Sequence, residues 1–343
     1  MKRAIAWGAV IFTMGSASMA AQWPKYPAPG VPRDAEQRIR MDAPPPHMAD
    51  GKPDLSGNWI RFRGEGAFNP PELAGLTRNP AAAAQTPAPP PDPNSPPIAA
   101  FWEMGANVPG GLPMTPWASE LKKQRMALDA KDNPDANCLP MGLTQFHTHG
   151  QPRKVMQSSG VIAIMYEANY GLRYIYIDGR TLPPQGSVQP FWYGYSVGRW
   201  EGDTLVVETN NLRGAETSPY DGWLDVRGSP YTEQAKFVER IRRPTYGKFE
   251  IDVTLDDPKA YTKPFTVRVN QQISPDDEII EFICVENQQF RRRVRIDRGS
   301  NPFGDALTDR RESLCRPRYG LMFWFNRIRF VGSYLRLIWT RRP

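Results

Sequence analysis

Lys248-Phe249-Glu250-Ile251-Asp252-Val253-Thr254 alternates without a break. Successive strand side chains point to opposite sides, so Phe249, Ile251 and Val253 share one face and Glu250, Asp252 and Thr254 the other. The same period of two extends outward from this stretch. It predicts strands over 154–158, 161–167, 172–177, 192–199, 203–209, 235–243, 248–256, 264–273 and 279–284. Several connections are short: Ser159-Gly160, Asp178-Gly179, Glu201-Gly202-Asp203 and Tyr246-Gly247. Strands joined so closely are antiparallel, because a parallel pair needs a long crossover. With a further strand at Trp59 the count is about ten, on the strand lengths usual for such sheets. The expectation is an all-β protein, an antiparallel meander barrel whose closure removes exposed edges. A two-sheet β-sandwich is the alternative.

The flanks of this region read differently. Lys2 and Arg3 precede an apolar run to about Met14, and Ser18 and Ala20 suit the −3 and −1 positions of a cleavage site. That is the pattern of a signal peptide over 1–20, and it implies export to the periplasm or beyond. Residues 21–50 are proline-rich and aperiodic, an extended arm. Residues 51–309 form one β-rich domain interrupted by a proline-rich insert, 69–100, expected to be disordered. The chain carries 36 prolines in 343 residues, too many for a helical bundle. Thr115-Pro116-Trp117 opens one helix ahead of the strands, with Thr115 as cap and Trp117, Leu121 and Leu128 recurring on one side.

The net charge of +7 is uneven. Residues 310–343 hold nine arginines and one glutamate and contribute +8, while 1–20 contribute +2, so the span 21–309 carries −3. The basic character belongs to the tail, and a nucleic-acid partner is not expected for the acidic body. The tail interleaves its arginines with Phe323, Trp324, Phe330, Tyr334 and Trp339, a composition suited to a membrane surface or an acidic partner.

Export permits disulfides. Cys138 and Cys284 sit near the two ends of the strand-rich region, so a bridge between them would tie the entrance of the core to its last strand. Three buried or free thiols are the alternative, and Cys315 is left over in either case.

Several phrases together resemble one family: Ala49-Asp50-Gly51-Lys52-Pro53-Asp54-Leu55-Ser56-Gly57-Asn58-Trp59, Cys138-Leu139-Pro140, Gly194-Tyr195-Ser196-Val197-Gly198-Arg199-Trp200-Glu201-Gly202-Asp203 and Cys284-Val285-Glu286-Asn287. Over about 49–290 the chain is similar to a large family of secreted bacterial proteins without an established function. The resemblance implies export and a shared fold, and no reaction. Gly57-Asn58-Trp59 also resembles the opening of lipocalin-like barrels.

Candidate chemistry lies in three places. His147-Thr148-His149, read as a strand, turns both imidazoles to one side, a spacing that would give two ligands to one metal. No other cofactor is implied, since a glycine-rich phosphate loop and a dinucleotide fingerprint are both missing. Glu167 and Glu286 lie at strand ends and, with His147, are the acid–base candidates, because burial of one carboxylate raises its pKa above another's. Glu201 and Asp203 read as turn residues. Tyr166, Tyr174, Tyr176, Tyr193 and Tyr195 belong to an aromatic cluster that would line a cavity for a hydrophobic or aromatic small molecule. Tyr174 and Tyr176 share a face, as do Phe191, Tyr193 and Tyr195 in a continuous strand. Arg180 would hold an anionic group and Asn287 would add a polar contact. Three functions are compatible with these features: a binding protein using an aromatic-lined cavity, an enzyme (hydrolase, isomerase or lyase) using the same cavity, or a structural protein of the envelope.

Overall fold

A computed structural model describes residues 27–62 and 94–285. The chain divides into two units, Met1–Cys284 and Val285–Pro343, and all the described strands and helices belong to the first. The stretch 1–20 expected to be a signal peptide, most of the proline-rich insert and the basic tail lie outside the described residues.

Nine strands close into a barrel in sequence order. They are β1 (Gly57–Arg61), β2 (Arg153–Gln157), β3 (Val161–Tyr166), β4 (Gly171–Tyr176), β5 (Tyr195–Glu201), β6 (Thr204–Asn210), β7 (Lys236–Thr245), β8 (Lys248–Asp256) and β9 (Phe265–Ile273). β1 closes the ring by pairing with both β2 and β9, sharing Trp59 between them. The barrel excludes the sandwich. Two details differ from expectation. Residues 279–284 form no strand, so the count among the described residues is nine. And β4 and β5 run parallel, through only two residue pairs, Ile175 with Ser196 and Tyr176 with Val197. The chain between them, 177–194, is long enough to return to the same end of the barrel, which a short hairpin is not.

The stretch Lys248–Thr254 behaves as its alternation dictates. Phe249, Ile251 and Val253 are buried in the core, while Glu250 and Asp252 face outward and pair with Lys248, Arg242 and Arg268. Trp59 stacks on Phe249 with ring centroids 4.4 Å apart, fixing β1 against β8 from within. Phe237 and Ile241 of β7 and Leu205 and Val207 of β6 complete the apolar filling. The β5–β6 turn at Gly202-Asp203 is tight, and Glu201 pairs with Arg199 and Arg240, a turn role as expected.

Among the described residues two α-helices sit outside the sheet. α1 (Pro116–Ala127) begins at Thr115, whose Oγ1 accepts a hydrogen bond from the Ala118 amide. Its buried side is not the predicted one: Ala118 and Arg125 are buried, whereas Trp117 and Leu128 are exposed. Arg125 wins because its guanidinium lies 4.1 Å from the Trp223 ring centroid and donates to the carbonyls of Gly222 and Asp221. α2 (Leu143–Thr148) is wholly buried. The end of the proline-rich insert is ordered, contrary to expectation: Ile98 bridges to Arg268 of β9, and Ala99 and Ala100 are buried. Backbone hydrogen bonds hold it there, from the Ala99 amide to the Arg268 carbonyl and from the Arg268 amide to the Pro97 carbonyl.

Cys138 and Cys284 are bonded, with their Cα atoms 5.4 Å apart. The bridge spans 146 residues and joins the segment ahead of β2 to the one after β9. Among the described residues no helix is long and apolar enough to cross a membrane.

Candidate functional site in the outer wall of the barrel

The two-pair seam between β4 and β5 is the shortest pairing in the barrel wall. Gly194, at φ +71°, turns the chain before β5 begins. A side chain at Gly194 would collide with Thr209 Cγ2, so the bend there needs glycine both for its left-handed backbone and for its close packing. The bend also breaks the expected alternation of Phe191, Tyr193 and Tyr195. Phe191 and Tyr195 stay on the outside, and Tyr193 swings inward against Phe146.

The result is a groove of about 330 Å³ on the outer wall, walled by Leu172, Tyr174, Tyr176, Phe191, Trp192, Tyr193 and Tyr195. The rings form a run. Tyr174 and Tyr176 lie near-parallel with centroids 6.5 Å apart, Tyr176 and Tyr195 lie 5.2 Å apart, and Phe191 lies 6.1 Å from Tyr195. Tyr174 and Phe191 are 47% and 45% exposed, so this apolar surface meets solvent. At its rim the Arg180 guanidinium lies 3.8 Å from the Tyr176 centroid. It donates from Nε to Asp178 Oδ1 at 2.9 Å and from Nη1 to Tyr195 Oη at 3.0 Å. The bond to Asp178 holds the Arg180 pKa above its ordinary value.

The Tyr193 hydroxyl is buried and has no hydrogen-bond partner among the described residues. It presses on Gly171, where a side chain would collide with it. Burial raises the pKa of this phenol, so it is a hydroxyl and not a phenolate.

The lumen is a different environment, and it corrects the expectation of an aromatic-lined hollow inside the barrel. Its remaining void is about 10 Å³, lined by residues such as His147, Arg153, Val155, Ile164, Ile251 and Gln271. That is room for about one water molecule and not for an organic ligand. A barrel of this size can be filled by side chains or hold one small ligand, and here Trp59, Phe237 and Phe249 fill it together with branched aliphatic residues such as Ile241 and Ile251. Tyr174, Tyr176 and Tyr195 are therefore outside.

Within the lumen sits a buried polar cluster. Glu239 of β7 is fully buried and forms an ion pair with Arg173 of β4. His147 Nε2 donates to Glu239 Oε1 at 2.6 Å. Arg173 also donates to Ser196 Oγ and Thr209 Oγ1, so the cluster joins β4, β5, β6 and β7 across the weak seam. Burial pushes the Glu239 carboxyl up, but the Arg173 charge and the His147 and Arg173 bonds overcome it and hold the pKa at about 2. Burial lowers the His147 pKa by more than Glu239 raises it. His147 is thus neutral beside an ionised Glu239, and its proton belongs on Nε2 because a carboxylate only accepts.

The other predicted residues disperse. The metal pair fails on secondary structure: His147 lies in α2 and His149 caps it, so they do not share a strand face. His149 instead packs edge-on against Tyr166 and lies 3.7 Å from Asp135. Among the described residues no three metal-binding side chains come together. Glu167 is buried and accepts hydrogen bonds from Gln151 Nε2 and the Ile280 amide, at 3.5 Å and 3.2 Å. Tyr166 is buried beneath Phe146, and burial raises its pKa. Glu286 and Asn287 lie outside the described residues. Arg173 and Glu239 are not among the candidates read from the sequence, although both carry a signal there: each shares the parity of a buried apolar neighbour, Ile175 and Phe237.

Fold and site together define a closed, solidly packed β-barrel with an aromatic groove on its outer wall. No protein-family model matches the chain, and no curated protein matches it either.

Proposed function

We propose that the protein is an exported binding protein that holds a hydrophobic or aromatic small molecule in the outer groove between β4 and β5. The observation that carries this reading is the groove itself. Its volume of about 330 Å³ lies in the range of small-molecule sites, and seven of its lining residues are tyrosine, tryptophan, phenylalanine or leucine, beside Arg173, Ser196 and small residues. Aromatic walls give a ring-containing ligand large contact area at small entropic cost, and phenol hydroxyls orient it. Export is supported by the N-terminal sequence pattern and agrees with the Cys138–Cys284 bridge.

The enzyme alternative draws on Glu286, Glu167 and His147. His147 is sealed in the lumen against Glu239, and Glu167 is engaged by Gln151 and Ile280, so neither favours it.

The test is a calorimetric titration of the purified protein with 2-naphthol. The expected result is saturable one-site binding that weakens roughly tenfold in Tyr174→Ala, the order of one lost ring contact. Binding that is absent, or that is indifferent to Tyr174→Ala and to Tyr195→Ala, overturns the reading.

A further inference from the structure

We propose that the groove is selective for planar aromatic acids: the ring lies against the aromatic wall around Tyr174 and Phe191, and the acidic group is held by the Arg180 guanidinium. This rests on reading the groove as a small-molecule site and names the class of molecule it selects.

The ring position follows from exposure. Tyr174 and Tyr176 are alternate residues of β4 on the same outer face, with an interplanar angle of 26° and centroids 6.5 Å apart. Tyr174 and Phe191 are almost half exposed, so each has ring surface open to a ligand ring. Tyr176 and Tyr195, at 5.2 Å and 28°, are in contact and continue the same aromatic wall toward Arg180.

The acid position follows from hydrogen-bond accounting. An arginine has five N–H donors in a fixed fork. Asp178 takes those of Nε and one of Nη2, and Tyr195 takes one of Nη1. Among the described residues this leaves one N–H on each terminal nitrogen. The guanidinium is meanwhile fixed over Tyr176 and held from the side by Asp178, so its orientation is set before a ligand arrives. A carboxylate with two oxygens matches two adjacent N–H groups, and a neutral ring substituent does not. The side chain is 40% exposed, so the remaining donors are reachable from solvent.

The experiment compares two probes of the same shape, 2-naphthoate and 2-naphthamide, titrated calorimetrically into the full chain. The expected result is that naphthoate binds about tenfold more tightly, the order of one charge-assisted two-pronged contact. In Arg180→Gln the preference disappears, the ratio of the two affinities falling to about one. Arg180→Lys keeps the charge but loses the fork and retains only part of the preference. Thermal unfolding of each variant confirms that the fold persists. Equal binding of the two probes overturns the acid assignment and leaves the groove reading standing. A naphthoate preference that survives Arg180→Gln also overturns it. Failure of both probes to bind overturns the groove reading itself.

Discussion

β8 and β4 have the same alternating pattern and opposite placements. β8 puts Phe249, Ile251 and Val253 into the lumen and leaves Glu250 and Asp252 outside in ion pairs. β4 puts Arg173 beside Ile175 in the lumen and leaves Leu172, Tyr174 and Tyr176 outside. β8 itself gives the lumen apolar side chains and the outer wall charged ones. Near β4 the lumen is charged and its outer wall aromatic. Alternation identifies which residues share a face. It does not identify which face turns inward where both contain polar and apolar groups. There the outcome depends on partners elsewhere: Arg173 is tolerated inside only because Glu239, Ser196 and Thr209 converge on it from three other strands.

The largest effect that would break this contrast is expected from Glu239→Gln. It leaves Arg173 a buried charge without its counter-charge, a loss of about 3–5 kcal/mol. Denaturant unfolding measures it, and a loss below about 1 kcal/mol would mean that the lumen around β4 does not depend on that pair. Ile251→Ala on β8 opens a cavity in packed aliphatic surroundings and is expected to cost about 2–4 kcal/mol by the same assay.

Acid sharpens the comparison further. The Glu239 pKa is about 2 in the fold against an ordinary 4.5, so its contribution is present above about pH 4.5 and lost as the pH falls toward 2. The His147 pKa is lowered below 6.5, so its contribution is present above that pH and declines as acid forces a proton onto the buried ring. Both act in one direction: stability is expected to fall below pH 6.5, and more steeply below 4.5. Glu239→Gln should remove the steeper limb. A variant that still shows it would assign acid sensitivity to other carboxylates. The smallest effect belongs to the outer wall. Tyr174→Ala is expected to change stability by less than about 1 kcal/mol, because the ring is half in water, even as it weakens ligand binding.

Much of the fold is legible in the residues. The strand runs, the cap at Thr115 and the bridge between Cys138 and Cys284 all follow from pattern and position. The parallel β4–β5 pair is not, because the pattern marks strands but says nothing of how the chain 177–194 returns. The metal reading at His147 and His149 fails for a local reason: six buried residues form a short helix where the reading needs a strand. For the candidate site, Tyr174, Tyr176, Tyr195 and Arg180 are identifiable as a group. Their position outside the barrel is not, because it depends on how completely other side chains, Trp59, Phe237 and Phe249 among them, fill the lumen.

The most direct test of an aromatic site outside a filled lumen is an NMR titration of the labelled protein with 2-naphthoate, following backbone amides. The account predicts saturable shifts at Leu172, Tyr174, Tyr176 and Tyr195 with Val155, Ile164 and Ile251 unmoved. Shifts concentrated at those lumen residues, with the outer wall silent, would contradict it.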